Sequence, residues 1–385
     1  MASHTGAAYV PYLEETMRVL QKSATNWHPL IKTATAEALP SLINPTIAAY
    51  QNGEISWEKG ATAPPSPIAP QTTVVLNAVL KELLNLMNDD DKESVGKACS
   101  SIQTIIETCG PHSLLPIAPE CLENTHKLLT RQAPCCIADV DEDEEYADEL
   151  LFEDHDSFMT NVCDLVGSFP RVIGAEFAQY LPQFLPPIIG FAKSSRPASD
   201  RSMSLGCLGE VCQELGPAIA PHWATMIFPT VLAGIADPDD NVKRNAVFCA
   251  GVCCEGLTTT ISDAYPQLLQ SVSPLFSLDP KKSDATAACV DNAAATVCRM
   301  IMCNLPAVPL SEVLPVVLRS LPLKNDFTEN ETVYKCLLGL MSSNNGDLAA
   351  NVADLKRVFT EAVADDSSVE DEWKQQLKAA LSSMP

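Results

Sequence analysis

Four prolines recur inside apolar helical segments at a nearly constant interval. Pro186 (in Phe184-Leu185-Pro186), Pro229 (in Ile227-Phe228-Pro229), Pro274 and Pro315 (in Val313-Leu314-Pro315) stand 43, 45 and 41 residues apart. A proline in a helix interior removes a backbone hydrogen bond and crowds the preceding turn, so four in matched contexts mark a repeated local design. The segments that follow them repeat as well. Arg201-Ser202-Met203 lies 43 residues before Arg244-Asn245-Ala246, and Asn292-Ala293 follows 47 residues later.

The clearest copy spans 218–257. Its first half carries Ile227, Val231, Leu232 and Ile235 at helical spacing, with Pro229 within the run. Asp237-Pro238-Asp239-Asp240 then ends one helix and offers an N-cap and first-turn acids for the next. The second half places Val242, Ala246, Cys249, Cys253 and Leu257 on one narrow stripe, which must face another helix. Two helices per 40–47 residues is the period of HEAT and armadillo repeats. The expected fold is all-α: a HEAT-repeat superhelical solenoid of about eight helix pairs, running as a single body over 1–385. Alternating strand patterns bounded by Asn-Gly or Asp-Gly turns do not occur.

Along the chain, the first pair is expected over 9–22 and 29–43, and 52–70 forms a Pro/Gly-rich loop. A second pair covers 72–87 and 92–109, broken by Asp89-Asp90-Asp91, and a helix over 114–131 opens a third. Later pairs fall at 175–193 with 197–215, 218–235 with 240–257, 263–277 with 283–303, and 308–320 with 326–342, before a last pair over 347–382. The chain enters its first helix near Val10 with no capping repeat before it, as a fragment of a longer solenoid would.

Between Arg131 and Arg171 there are twelve acids and no Lys or Arg, half of the net charge of −24. Asp139, Asp141, Glu142, Asp143, Glu144 and Glu145 repel one another, which predicts an acidic loop at 137–147 inserted within one repeat. It serves solubility or attracts a basic partner, and the overall acidity favours the second. The same sign disfavours direct binding of nucleic acid.

Nothing in the chain points to an enzyme, a cofactor or a metal. The six histidines are scattered, the cysteines sit mostly on apolar helical faces without a Cys-x-x-Cys pair, and no Gly-rich phosphate loop follows a strand. The cysteine usage reads as that of a reducing compartment, and no apolar run suggests a membrane span.

Four segments carry a family resemblance. Pro11-Tyr12-Leu13-Glu14-Glu15-Thr16, the acidic insertion running into Tyr146-Ala147-Asp148-Glu149-Leu150-Leu151, Asp239-Asp240-Asn241-Val242-Lys243-Arg244-Asn245-Ala246-Val247-Phe248, and Leu321-Pro322-Leu323-Lys324-Asn325-Asp326, in this order, resemble the C-terminal half of karyopherin-β nuclear import receptors of the importin-4 type. The resemblance implies recognition of basic nuclear localisation signals, with histones H3 and H4 as cargo. It also implies shuttling between cytoplasm and nucleus through Phe-Gly nucleoporins, and release by the Ran GTPase, bound mainly through an N-terminal half that is missing here. No cofactor is implied.

In such a solenoid the second helix of each pair lines the inner groove. Asn245 and Asn292 occupy equivalent places and would form a ladder for an extended peptide backbone. Asp291, Asp326, Glu329 and Glu331 would then select lysines, the family's acids falling in Asp326-Phe327-Thr328-Glu329-Asn330-Glu331. The asparagines can equally bond between neighbouring repeats, and the acids can equally serve a helix start. Two other functions remain open from sequence: a HEAT scaffold that assembles an enzyme complex such as a phosphatase, and a histone chaperone acting through the acidic loop.

Overall fold

The computed structural model describes residues 5–60, 66–137, 148–365 and 367–384, without the side chains of 148–156. The acidic residues 139–145 lie outside the described residues. No strand occurs among the described residues, and the chain packs as two compact units, Met1–Gly190 and Phe191–Pro385.

In the first unit the longer helices are α1 (Leu13–Ala24), α2 (Pro29–Ala38), α3 (Pro70–Leu86), α4 (Lys92–Cys109), α5 (Ala118–Leu129), α6 (Asp148–Ile173) and α7 (Leu181–Phe191). The second holds α8 (Ala198–Leu215), α9 (Phe228–Ile235), α10 (Asp240–Leu257), α11 (Tyr265–Val272), α12 (Asp284–Asn304), α13 (Leu310–Ser320), α14 (Asn330–Ser342), α15 (Val352–Ala362) and α16 (Asp371–Ser383). The helix pairs and their breaks follow the expected order. Within each unit the most extensive packing is between consecutive second helices: α4 on α2 and α6, then α10 on α8 and α12.

Small residues set that packing. A Cβ on Gly209 of α8 would meet the Phe248 ring of α10 at 2.8 Å, and one on Gly251 would meet the Thr296 hydroxyl of α12 at 2.7 Å. Every residue of α12 from Thr286 to Ile301 is buried as a result.

The repeating prolines are accommodated in three ways. Pro186 and Pro315 stay inside helices, and Pro274 opens a short 3-10 helix, Ser273–Ser277. Pro229 sits at the start of α9, just after a π-helical turn, Trp223–Ile227, so the extra residue in that turn lies where the proline's hydrogen bond is lost.

The 52–70 loop is anchored where it is described. Trp57 packs against Gly110, at the end of α4, and its Nε1 donates to the Glu107 carbonyl at 3.3 Å. The Gly60 N–H donates to the Arg171 carbonyl at 3.0 Å, at the end of α6.

One expectation from sequence needs correction. The continuous helical stretch 198–235 contains a window apolar and long enough to cross a membrane, with mean hydropathy 1.4. It is not one straight rod, because Gly216 turns the chain at φ +50° and a π turn follows, and its first segment packs on α10.

Four of the second helices end at a residue with positive φ. Gly110, Gly174 and Gly216 follow α4, α6 and α8 at φ +52°, +54° and +50°, whereas α10 ends at Thr258, with φ +49° and ψ −126°. A β-branched residue there is strained. Thr258→Gly should therefore stabilise the second unit by about 1 kcal/mol, read as a higher urea midpoint with unchanged slope.

Candidate functional site

Two of the turns between paired helices are built on carboxylates. Asp89 accepts the N–H of Asp91 at 3.0 Å and both its oxygens accept from Lys32 Nζ at 2.7–2.8 Å, while Asp91 caps α4 through the N–H of Ser94 at 2.8 Å. Asp237 and Asp239 repeat the arrangement. Asp237 accepts the Asp239 N–H at 2.9 Å and takes a two-pronged ion pair from Arg201 at 2.7 and 2.8 Å, and Asp239 caps α10 through Asn241 and Val242. A cation from one second helix thus holds the turn that launches the next.

Asp240 extends this link onward. Its oxygens accept from Lys243 at 2.8 Å, from Lys282 at 3.0 Å and from the Thr286 hydroxyl at 2.7 Å, the last two in the following repeat. The Lys243 hydrogen bond, then that of Thr286, hold its carboxyl well below the usual carboxylate range.

The residues expected to face a peptide are divided by the structure. Asn245 Nδ2 donates to the carbonyl and hydroxyl oxygens of Ser202, at 2.8 and 3.0 Å, so it joins neighbouring repeats. Asn292 is 1 % exposed and donates to the Ala288 carbonyl at 2.9 Å and to Asp326 Oδ2 at 2.8 Å. An exposed asparagine ladder is not formed, because Asn292 is covered where the second helices meet and the amide of the half-buried Asn245 is spent on Ser202. Asp291, also 1 % exposed, accepts the N–H groups of Lys324, Asn325 and Asp326 at 2.9, 2.7 and 2.9 Å. Burial pushes its carboxyl above the usual range, and those three N–H bonds only partly offset it. Glu329 is buried and paired with Arg299, so direct contact with a lysine falls to other groups. Neither Asp326 nor Glu329 makes a side-chain cap to the helix that follows it.

Asp326 is half-buried and Glu331 is exposed. With Asp291 beneath its turn and Asn292 on one oxygen, Asp326 is a fixed carboxylate with an open side, and Thr328 donates to its other oxygen. Phe327 beside it is 40 % exposed.

Sequence reasoning missed Arg299. Its Nε donates to Glu255 of α10 at 3.1 Å, and its Nη atoms reach both Glu329 oxygens at 2.9 and 3.2 Å, with Arg299 and Glu329 almost wholly buried. The signal was present: Arg299 is the only basic residue of α12, in a run of Ala, Val, Cys and Met. A lone cation in such a stripe calls for a buried partner.

Arg299→Ala should cost about 3–5 kcal/mol in chemical denaturation, because it strands the buried Glu329 carboxylate. Arg299→Met combined with Glu329→Leu should recover most of that loss. Asp240 gives a pH dependence. Its folded pKa lies below its unfolded one, so its contribution is present above about pH 4 and is lost as pH falls further. Asp240→Asn should flatten the acid limb of the stability profile measured by urea titration between neutral and acid pH.

No family model matches the chain. Along 99 % of its length it is 27 % identical to the probable importin subunit beta-4 of Schizosaccharomyces pombe, and along 94 % it is 24 % identical to importin-4 of Homo sapiens. It spans about a third of these relatives, 35 % and 32 % of their lengths. Among solved structures, karyopherin Kap121p superposes over 98 % of the chain with a TM-score of 0.68 at 17 % identity, covering 32 % of that protein. A multiply substituted Kap121p superposes over 100 % of the chain, with a TM-score of 0.72. Kap121p has been crystallised bound to RanGTP and to Nup53p. The stacked helix pairs share the fold of karyopherin Kap121p, and along nearly its whole length the chain is similar to importin-4 and importin subunit beta-4.

Proposed function

We propose that this chain is the cargo-binding part of a nuclear import receptor that takes basic, lysine-rich signals of histones H3 and H4. The observation that carries the reading is the alignment of 94–99 % of the chain with importin-4 and importin subunit beta-4. The receptor is not an enzyme. It moves between cytoplasm and nucleus by way of Phe-Gly nucleoporins and releases cargo when Ran binds, a reading that the crystallised complexes of Kap121p with Nup53p and RanGTP support.

Asp326 is the centre of the lysine seat in this reading. A carboxylate offers about four lone-pair directions, and Asn292 and Thr328 use two of them. The free directions accept an ammonium through charge-assisted bonds, while Phe327 receives the aliphatic stem. Glu331 adds a second, solvent-facing charge. Asp291 and Asn292 act by holding Asp326, and Arg299 by fixing the start of α14 through Glu329. Lys324 shares the turn and is exposed, so it opposes a cationic ligand.

The test is the affinity of a labelled H3-tail peptide, unmodified and acetylated, at low and moderate salt. Acetylation, and Asp326→Lys with Glu331→Lys, should each weaken binding about tenfold, or ~1.4 kcal/mol. Lys324→Glu should tighten it. Absence of binding at low salt, or indifference to all three changes, overturns the reading in favour of a scaffold that holds folded subunits.

A further inference from the structure

Three thiols that play no part in the carboxylate site converge inside the second unit. Cys212 of α8 and Cys249 and Cys253 of α10 have sulfur atoms within 4.8 Å of one another, and all three residues are fully buried. Two geometrical facts bring them together. Cys249 and Cys253 stand four residues apart, on one face of α10 one turn from each other. Gly209, one turn before Cys212, lets α8 approach until its own missing Cβ would touch Phe248.

The surroundings restrict what such a cluster binds. No lysine or arginine among the described residues lies near enough to influence the titration of the three thiols. A complex with net charge would be buried there without a counter-ion, at large cost. Zinc with three thiolates keeps a negative charge and lacks the fourth ligand that a structural site requires. Copper(I) with three thiolates is doubly negative. A trivalent centre with three thiolates is neutral and needs no fourth ligand.

We propose that Cys212, Cys249 and Cys253 form a trigonal site for trivalent arsenic, taken up as arsenous acid. In the binding reaction three As–O bonds break and three As–S bonds form. Each departing hydroxide leaves with the proton of one thiol as water, so charge is conserved and nothing is oxidised or reduced. The product ties α8 to α10 and so links two successive repeats. Because the cluster is closed to solvent, uptake follows local opening and is slow compared with that at a surface dithiol.

Sodium arsenite added to the reduced, oxygen-free protein tests the site in three ways. Native mass spectrometry should show one arsenic bound with loss of three protons, and X-ray absorption should show three sulfur neighbours and no oxygen. Alkylation during unfolding followed by peptide mapping should find Cys212, Cys249 and Cys253 protected together only when arsenite is present, a readout on the wild-type chain that depends on no variant folding. Cys212→Ser or Cys253→Ser should weaken binding at least tenfold, while Cys298→Ser, altering another buried thiol that neighbours Cys336, should leave it unchanged. Protection of other cysteines, a two-sulfur complex that retains hydroxide, or equally tight uptake of zinc would overturn the proposal.

Discussion

Consecutive second helices approach so closely that only a hydrogen or a small side chain fits at their contacts, and most other features of the second unit depend on this. Gly209 against Phe248 and Gly251 against Thr296 are the places where a Cβ has no room. With the backbones this near, polar side chains beside the contact are covered. They must then find partners within the protein. Asn245 reaches Ser202, Thr296 reaches the Val247 carbonyl, Asn292 reaches Asp326 and Arg299 reaches Glu329. Polar residues that serve the surface in a looser stack become the bonds between repeats in this one.

The same constraint explains what the sequence could and could not convey. Helix pairs, their period and the acid-rich turns were legible, because proline spacing and Asp-Pro-Asp breaks act locally. Asp239 caps α10 as its position suggested. The orientation of Asn245, Asp291 and Asn292 was not legible, because it depends on the distance between helices some 40 residues apart. A residue next to an apolar stripe lies in a groove if the helices stand apart and in an interface if they touch. Arg299 was overlooked because its partners, Glu255 and Glu329, come from the repeats before and after it. The three cysteines read as small hydrophobes, Cys249 and Cys253 on one helical stripe and Cys212 on another, and only packing shows Cys212 facing the other two.

Charge is handled differently inside the stack and on its surface. Lys32, Arg201 and Arg299 are each engaged with carboxylates of the turns and interfaces. Three of the chain's 25 basic residues are thereby committed within the stack, and the net charge of −24 leaves a large surplus of acids. A face with such a surplus attracts cationic segments over roughly a Debye length, about 8 Å at physiological salt, before any side chain is in contact. Fixed groups such as Asp326 then act on a partner already held nearby.

Arg299 also bears on how the protein responds to force. Its guanidinium joins α10 and the start of α14 across α12, so three successive helices share one charged junction. In a stack held only by neighbour-to-neighbour contacts, repeats peel away singly under tension. Here extension must separate Arg299 from Glu329 inside the core before α12 can leave, and the exposed charges would gain hydration only after the break. The junction therefore couples α10, α12 and the start of α14, so that displacing any one of them disturbs contacts of the other two.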